Sequence, residues 1–263
     1  MLAAATTMAL CLLSLATCFT WAAETTSWNG KHAAIILTYD DALQVHLDKV
    51  IPELDRRHLL ATFYITVNTP GFKNRITDWR EAAAKGHELG NHTLFHPCAG
   101  SKEGRDWVSP DYDLDTYSLQ RITDEIDTAN TVLTLLDHQR ERTYAYTCGD
   151  IAVGKQIYKE MVASRFVAAR GVSRGFVYGD SLDLYNINAF GVHEQSSEEL
   201  IAQARQAINE GAMLVYLFHG VGGEHSLNVS EQSHRALLDY LGEQEKNVWV
   251  TTMLQVAKYL KTH

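Results

Sequence analysis

The chain has 263 residues, which is enough for one large α/β barrel domain or for two small domains. Apolar residues make up 46% of the chain and charged residues 21%, as in an ordinary globular protein. The net charge is −9 and no stretch is basic, so the composition argues against nucleic acid or an anionic membrane as the partner.

The N-terminal segment has the features of a secretory signal peptide. The first 23 residues carry no charged side chain, and the apolar run over residues 10–19 is too short for a comfortable membrane span. Thr20 and Ala22 occupy the −3 and −1 positions of a cut after Ala22. We therefore expect a signal peptide over residues 1–22 and a secreted or periplasmic mature chain over residues 23–263 without a membrane span. The alternative is a retained N-terminal anchor.

Export would leave two cysteines in the mature chain, Cys98 and Cys148, because Cys11 and Cys18 lie in the signal peptide. In an oxidising compartment such a pair can form a disulfide. The sequence alone leaves this open, since two separate buried thiols are an equal alternative.

Apolar, strand-like runs alternate with helical patterns along the mature chain. The strand candidates are residues 33–39, 61–67, 88–92, 143–147, 166–169, 184–190, 213–218 and 248–251. Helical spacing runs through residues 43–54 and 119–136, and Ser196 with Glu199 forms a capping box for a helix that Gly211 closes. This alternation predicts one α/β domain with a parallel sheet, either open and doubly wound or closed into a barrel. In both forms, chemistry collects at the carboxyl ends of the strands.

Two adjacent carboxylates, Asp40 and Asp41, end the first predicted strand in the stretch LTYDDA. Like charges repel, and their burial is costly unless something pairs with them. We therefore expect these side chains to face water in a loop, to hold a cation or to act as a base.

Imidazoles end two other predicted elements. His92 and His96 lie four apart in GHELGNHTLFHP, a spacing at which both can bind one metal ion from one side. Two histidines and one carboxylate leave positions on zinc open for water. His219 ends the strand LVYLFH, and imidazole suits proton transfer near neutral pH. Taken singly, each is better explained as a structural histidine. His225 in the next loop could line the cleft, but a solvent-exposed histidine is the favoured interpretation.

The connection over residues 97–117 is long, polar and rich in aromatic side chains. Loops of this length in compact domains are usually functional. Trp107, Tyr112 and Tyr117 could stack on sugar rings, or they could pin the loop to the body of the protein. The sequence leaves these two interpretations open.

Taken together, these motifs resemble the polysaccharide deacetylase family, the NodB-homology domain of carbohydrate esterase family four. LTYDDA resembles the family's first motif, and GHELGNHTLFHP closely resembles the second. ATFYI is similar to the family's intervening ATFF strand, and VYLFH to its late motif that ends in histidine. The resemblance runs over residues 33–260 and implies a distorted (β/α) barrel, which alternation alone does not distinguish from an open doubly wound sheet.

The resemblance implies a role for five side chains. Asp41, His92 and His96 correspond to the metal ligands, with Zn²⁺, Co²⁺ or another divalent ion as the cofactor. Asp40 corresponds to the general base and His219 to the general acid. The implied chemistry is hydrolysis of an acetyl group by a metal-activated water, with the oxyanion held by the metal and by a backbone N–H.

The third motif of the chain departs from the family pattern. In YAYTCG, residues 144–149, Ala145 replaces the arginine that would pair with the base, and Cys148 replaces a tyrosine. The backbone N–H of Cys148 can still serve the oxyanion, because no side chain is needed. Arg142 and Arg170 are the candidates to replace the missing arginine.

Three further expectations follow from the resemblance. Asp183 is the candidate partner of His219. Cys98 and Cys148 fall in loops that border one cleft in the family fold, which implies a disulfide that braces the metal loop. Asn91 begins a glycosylation pattern beside the expected metal site, which favours a bacterial setting because a glycan there would crowd the site.

The resemblance leaves the substrate open. The leading prediction is a secreted, metal-dependent deacetylase that hydrolyses N-acetyl groups of chitin-like or peptidoglycan-like poly- or oligosaccharides. An O-acetyl esterase acting on acetylated xylan would use the same site, so the motifs do not separate amide from ester. The altered third motif also motivates an inactive, secreted carbohydrate-binding protein, and a metal-dependent amidase on a non-sugar amide is a further alternative.

Overall fold

The computed structural model describes residues 28–179 and 182–262. The predicted signal peptide, residues 1–22, lies outside the described residues. Across the described ranges, no helix is both long and apolar enough to cross a membrane.

The fold is built on a parallel sheet with two small ribbons beside it. In chain order the strands are β1 (Ala33–Asp40), β2 (Thr62–Ile65), β3 (Glu88–Asn91), β4 (Tyr144–Ala145), β5 (Ala152–Val153), β6 (Gln156–Ile157), β7 (Ala169–Arg170), β8 (Phe190–Gly191), β9 (Met213–Phe218), β10 (Gly220–Val221), β11 (Asn228–Val229) and β12 (Val248–Thr251). The main sheet runs in the order β7-β4-β3-β2-β1-β9-β8, and β12 also pairs with β1. β5 with β6 and β10 with β11 form the two ribbons.

β1 is the central strand of the sheet. It pairs with β9 along most of its length, and it pairs with β12 at its start and with β2 at its end. Every residue of β1 is buried, as expected for a strand of a parallel sheet that is covered on both faces. The carboxyl end of β1 therefore lies at the middle of the sheet's carboxyl edge.

The segment before β8 closes the sheet into a barrel. The Ile187 N–H donates to the Ala169 carbonyl at 2.9 Å, and the Gly171 N–H donates to the Ile187 carbonyl at 2.8 Å, so this segment lies on the β7 edge. Three residues later the same segment, as β8, pairs with β9 on the other edge. The strand predicted over residues 184–190 is thus mostly an extended connection with bridges to both edges.

Helices cover the strands and connect them. They are α1 (Ile51–Arg56), α2 (Pro70–Lys73), α3 (Ile76–Ala84), α4 (Leu119–Asp137), α5 (Lys159–Ala163), α6 (Ser197–Glu210), α7 (Glu231–Glu243) and α8 (Met253–Leu260). A π-helical turn, His46–Val50, precedes α1, and 3₁₀ turns occur at Pro110–Tyr112 and Thr147–Gly149. The predicted capping box is confirmed, because Ser196 and Glu199 cap α6 reciprocally and Gly211 ends it in the left-handed conformation.

The largest core cluster packs the apolar faces of these helices against one face of the sheet. Leu54 of α1, Leu200 of α6 and Leu237 of α7 are fully buried there. Burial of this apolar area supplies the main stabilisation of the fold. The sheet's carboxyl edge is left to polar side chains, which form the candidate site.

Candidate active site

The two carboxylates at the end of β1 lie at a sharp turn of the chain. Asp41 has φ 77° and Ala42 has φ 54°, which is the left-handed region that disfavours side chains with a Cβ. Ala42 therefore adopts the backbone conformation that a glycine would take without strain. The turn separates the two carboxylates, so that Asp40 is nearly fully buried and Asp41 is half-buried.

Asp40 is paired with Arg170. Nη2 of Arg170 lies 2.7 Å from Oδ1 and 2.5 Å from Oδ2 of Asp40, and the arginine is completely buried. Burial raises the pKa of Asp40, but the Arg170 guanidinium and the neighbouring His92 and His219 outweigh it and lower the pKa overall. Asp40 is therefore ionised at neutral pH.

Arg170 takes the place of the arginine that is missing from the third motif, and it does so from the neighbouring strand. Ala145 on β4 and Arg170 on β7 are paired in register on adjacent parallel strands. Side chains of paired residues project from the same face of a sheet. The guanidinium beside Asp40 therefore comes from the strand next to the one that the family pattern uses.

The other two candidates for supporting roles lie elsewhere, and those predictions are corrected. Arg142 pairs with Asp137 at 3.1 Å and donates to the Leu89 carbonyl at 2.6 Å, so it anchors the end of α4 to β3. Asp183 pairs with Lys159 at 2.8 Å and accepts the Tyr185 N–H in an exposed turn, so it is not the partner of His219.

His92, His96 and Asp41 converge on one point. Asp41 Oδ1 lies 3.6 Å from His92 Nε2 and 3.4 Å from His96 Nε2. This oxygen is buried and has no hydrogen-bond partner within the described part of the chain. Burial raises the pKa of Asp41, and His96, His92 and His219 lower it to a net value of about 2.

The donor set fits a divalent cation. The Nδ1 of His92 lies 2.9 Å from the Ala145 carbonyl, which can only accept a hydrogen bond, so Nδ1 carries the proton and the Nε2 lone pair faces the cavity. One ionised carboxylate and two imidazoles form the half-open coordination sphere of catalytic zinc sites. The lone buried oxygen of Asp41 is the kind of atom that a cation would satisfy.

Hydrogen bonds between side chains and the backbone hold the loop that carries His96. Asn91 Oδ1 accepts the Thr93 N–H at 2.8 Å, and Thr93 Oγ1 accepts the His96 N–H at 2.9 Å. The Asn91 amide is completely buried and donates to the Ile126 carbonyl. The Asn91 side chain therefore has a structural role in the loop, and its burial leaves it inaccessible to glycosylation.

A disulfide joins Cys98 to Cys148, with Cα atoms 5.8 Å apart. The Sγ of Cys98 lies 3.6 Å from His96 Nδ1. Cys148 has φ 54° and borders the cavity. The bond therefore connects the loop of the second motif to that of the third beside a candidate metal ligand.

The structure adds His225 to the site. His225 lies in the wall of the cavity, with 30% of its side chain exposed, so the structure favours the cleft-lining alternative over the solvent-exposed one. Its ring stacks on His219 with centroids 4.6 Å apart and 14° between the planes. The Nε2 atoms of His219 and His225 lie 3.9 and 3.8 Å from Asp41 Oδ2. The signal that sequence reasoning underused is the glycine-rich loop directly after His219.

These side chains line one cavity of about 460 Å³. The Trp107 ring is 64% exposed at its rim, together with Val172 and Leu227. Tyr112 stacks on Phe95 at 5.1 Å, so this tyrosine pins the long loop to the body of the protein. The loop's aromatics therefore divide between anchoring the loop and facing the cavity.

Sequence comparison agrees with this geometry. The family model described as polysaccharide deacetylase matches residues 29–163, which is just over half of the chain. The chain belongs to the polysaccharide deacetylase family.

Two relatives match this chain with low identity. A gellan lyase from Bacillus sp is 25% identical over 193 residues, which cover 73% of this chain and 7% of that protein. The peptidoglycan-N-acetylmuramic acid deacetylase PdaA from Bacillus subtilis (strain 168) is 26% identical over 121 residues, 44% of this chain and 38% of that protein. The chain thus spans well under half the length of either relative.

A solved structure shares the fold of this chain. The "probable polysaccharide deacetylase" from Pseudomonas aeruginosa PAO1 superposes with a TM-score of 0.63 at 11% identity, over 90% of this chain and 93% of that one. The predicted distorted (β/α) barrel is thereby confirmed, and the open doubly wound sheet is excluded.

Proposed function

We propose that this protein is a secreted or periplasmic bacterial deacetylase that uses a divalent metal to hydrolyse N-acetyl groups of chitin-like or peptidoglycan-like saccharides. The observation that carries the proposal is the convergence of Asp41 Oδ1 with the Nε2 atoms of His92 and His96 beside the ionised Asp40. The family membership supports the reaction class.

Asp41, His92 and His96 would hold the metal. When bound there, a divalent ion supplies Lewis acidity that polarises the acetyl carbonyl and makes water more acidic. The chain's own contribution is to fix the ligands, since the Ala145 carbonyl orients His92 and the Thr93 hydroxyl fixes the backbone at His96.

Asp40 would act as the general base. Its ion pair with Arg170 fixes the carboxylate and keeps it ionised, so that it can take a proton from the attacking water. The backbone N–H of Cys148, on the cavity wall, is the proposed donor to the oxyanion.

His219 would protonate the departing nitrogen. Burial lowers the pKa of His219, although Asp40 and Asp41 oppose the shift, and a lower pKa makes its imidazolium a stronger proton donor. Addition of water to the acetyl carbon and cleavage of the C–N bond give acetate and a free amine. The proton taken by Asp40 balances the proton given by His219.

The first experiment measures acetate release by the zinc-loaded mature protein from chitooligosaccharides, peptidoglycan fragments and acetylated xylan. We expect release from an N-acetylated sugar and none from His92→Ala, while His32→Ala, an exposed histidine, behaves as the wild type. Release from xylan alone would replace the amide with an ester substrate. No release from any substrate by a metal-loaded protein would reject the proposal and favour a binding protein or an amidase of another class.

The metal and the export steps have their own measurements. Elemental analysis should find one divalent ion per chain in the wild type and a strong loss in His92→Ala. N-terminal sequencing of the exported protein should begin at Ala23, and a retained residue 1 would contradict the predicted cleavage.

A further inference from the structure

The site has two faces that share Asp41. Oδ1 of Asp41 faces His92 and His96, and Oδ2 faces His219 and His225. The second face also brings one carboxylate oxygen and two imidazole nitrogens together, so by composition alone it could hold a cation. The tautomer of His225 decides whether its Nε2 can bind a metal ion or donate a hydrogen bond.

A backbone hydrogen bond fixes the tautomer of His225. The Leu227 N–H donates to His225 Nδ1 at 3.0 Å, so Nδ1 must present its lone pair. A neutral imidazole then carries its proton on Nε2, the atom that faces Asp41 and the cavity. This is the opposite of His92, whose Nε2 presents a lone pair. His225 Nε2 is thus a hydrogen-bond donor and not a metal ligand.

The loop that carries His225 is held in place from two sides. Gly223 N–H donates to Asn228 Oδ1 at 2.8 Å, which closes the loop on itself. The Glu224 carboxylate accepts the N–H groups of Gln44 and Val45 at 3.1 and 2.7 Å, just after the Asp40–Asp41 turn. The loop and the carboxylates are therefore connected, and the donor is aimed before substrate arrives.

Because the His225 ring stacks on the His219 ring, the two side chains face the same region of the cavity. Both Nε2 atoms lie within 3.9 Å of the same Asp41 oxygen, so they address the same part of the cavity. If His219 acts on the departing atom, as the proposed function requires, then the Nε2–H of His225 lies beside the sugar unit that is losing its acetyl group.

We propose that His225 is a substrate-binding residue whose Nε2–H donates a hydrogen bond to an oxygen of the sugar unit that carries the acetyl group. This role rests on the proposed function for the identity of the sugar. It distinguishes the second face of the site from the metal face, since the second face recognises substrate through an N–H.

The tautomer and the contact are tested together by NMR on protein with ¹⁵N-labelled histidine. The His225 signals are assigned by their loss in His225→Gln. We expect the Nε2–H tautomer for His225 and the Nδ1–H tautomer for His92 in metal-free protein. Addition of chitotetraose, which metal-free protein should not hydrolyse, should shift His225 Nε2. An Nδ1–H tautomer, or no shift under saturating saccharide, would overturn the proposal whether or not the enzyme is active.

Three variants separate the N–H from the stacked ring. His225→Phe keeps a ring against His219 and removes both nitrogens. His225→Gln keeps an N–H near the position of Nε2, and His225→Asn places it near Nδ1. We expect KM for the chitooligosaccharide to rise about two- to tenfold in the Phe and Asn variants, the size of one neutral hydrogen bond, with partial recovery in the Gln variant and a smaller change in kcat.

Metal content completes the test. We expect one ion per chain in the wild type and in every His225 variant. A second ion that disappears in His225→Phe would show that the second face is a metal site and overturn the proposal. Unchanged KM in His225→Phe, with an active wild type, would reject the role of His225 alone. An inactive wild type would instead reject the proposed function, and the NMR titration would still decide for His225.

Discussion

At the scale of single residues, the site depends on the buried ion pair between Asp40 and Arg170, whose arginine lies on a different strand from the one that the family pattern uses. Asp40 is stable as a buried carboxylate because Arg170 donates to both of its oxygens. Removing one partner of such a pair is costly, since it leaves an uncompensated buried charge. Ala145, at the position of the family arginine, lies beside Arg170 in register.

We predict that Arg170→Ala lowers the free energy of unfolding by about 3–5 kcal/mol and moves the acid limb of the activity profile to higher pH. The shift follows because the strongest charge that lowers the Asp40 pKa is lost. The measurements are urea unfolding and kcat/KM against pH, with Arg170→Lys as the charge-retaining control.

The same pair offers a rescue experiment. Ala145→Arg in the Arg170→Ala background should restore part of the activity, because the paired positions present their side chains on one face of the sheet. A double variant no more active than Arg170→Ala would show that β4 cannot deliver a guanidinium to Asp40 in this protein.

At the scale of elements, two long connections build the cavity wall. The disulfide ties the loop after β3 to the 3₁₀ turn after β4, across a sequence separation of 50 residues. It also touches His96, a candidate metal ligand. The bond is therefore expected to affect both stability and metal binding.

We predict that the double variant Cys98→Ser, Cys148→Ser lowers the free energy of unfolding by about 2–4 kcal/mol, because the unfolded chain gains conformational entropy when the disulfide is lost. Zinc affinity should fall as well, because His96 loses a fixed neighbour. Urea unfolding and zinc titration check this against the reduced wild-type protein. Equal zinc affinity in the double variant, the reduced wild type and the oxidised wild type would show that the hydrogen bond from the His96 N–H to Thr93 Oγ1 suffices to fix His96.

The loop over residues 97–117 presents Trp107 at the rim of the cavity. We predict that Trp107→Ala raises KM for long chitooligosaccharides about fivefold, since an exposed indole offers a flat apolar surface of the kind worth about 1 kcal/mol in ring stacking. Trp107→Phe should retain most of the affinity. An equal effect on the shortest substrate would place the indole next to the reacting sugar instead of at a distant unit.

At the scale of the whole molecule, stability is tied to histidines that fold as neutral groups. His234 is almost fully buried, and its Nε2 lies 2.7 Å from the Tyr39 hydroxyl. Burial lowers the pKa of His234 to about 3 and that of His46 to about 4, from 6.5. The unfolded chain binds protons that the folded chain does not, so stability is full above about pH 6.5 and is lost as the pH falls towards these values.

We predict that the free energy of unfolding declines between pH 6.5 and pH 4.5 by about 1.4 kcal/mol per pH unit for each of these histidines. Urea unfolding at several pH values measures the slope. His234→Gln should reduce this slope by about 1.4 kcal/mol per pH unit, which corresponds to one bound proton. His32→Gln, at an exposed position, should leave the slope unchanged. A slope unchanged in His234→Gln would mean that His234 is protonated in the folded protein.

The sequence by itself determined the order of elements and the residues at the strand ends. Period and composition locate β1, β9 and β12 within a residue, because long buried strands are apolar throughout. The pairs Asp40–Asp41 and His92–His96 each lie within one short motif, so the family resemblance predicts them as site residues from the sequence alone. The sequence predicts the short strands near the edges of the sheet as longer than they are, because the extent of pairing with a neighbouring strand, and not local composition, determines where they end.

Only the tertiary structure decided which distant groups meet. The choice of Arg170 over Arg142 depends on the register of β7 against β4, and the place of His225 depends on how a glycine-rich loop folds back over Asp41. The closure at Ile187 likewise joins two edges of the sheet that no local pattern relates. Sequence periodicity records which face of an element is buried, but contacts between residues more than a hundred positions apart are set by the packing of the whole chain.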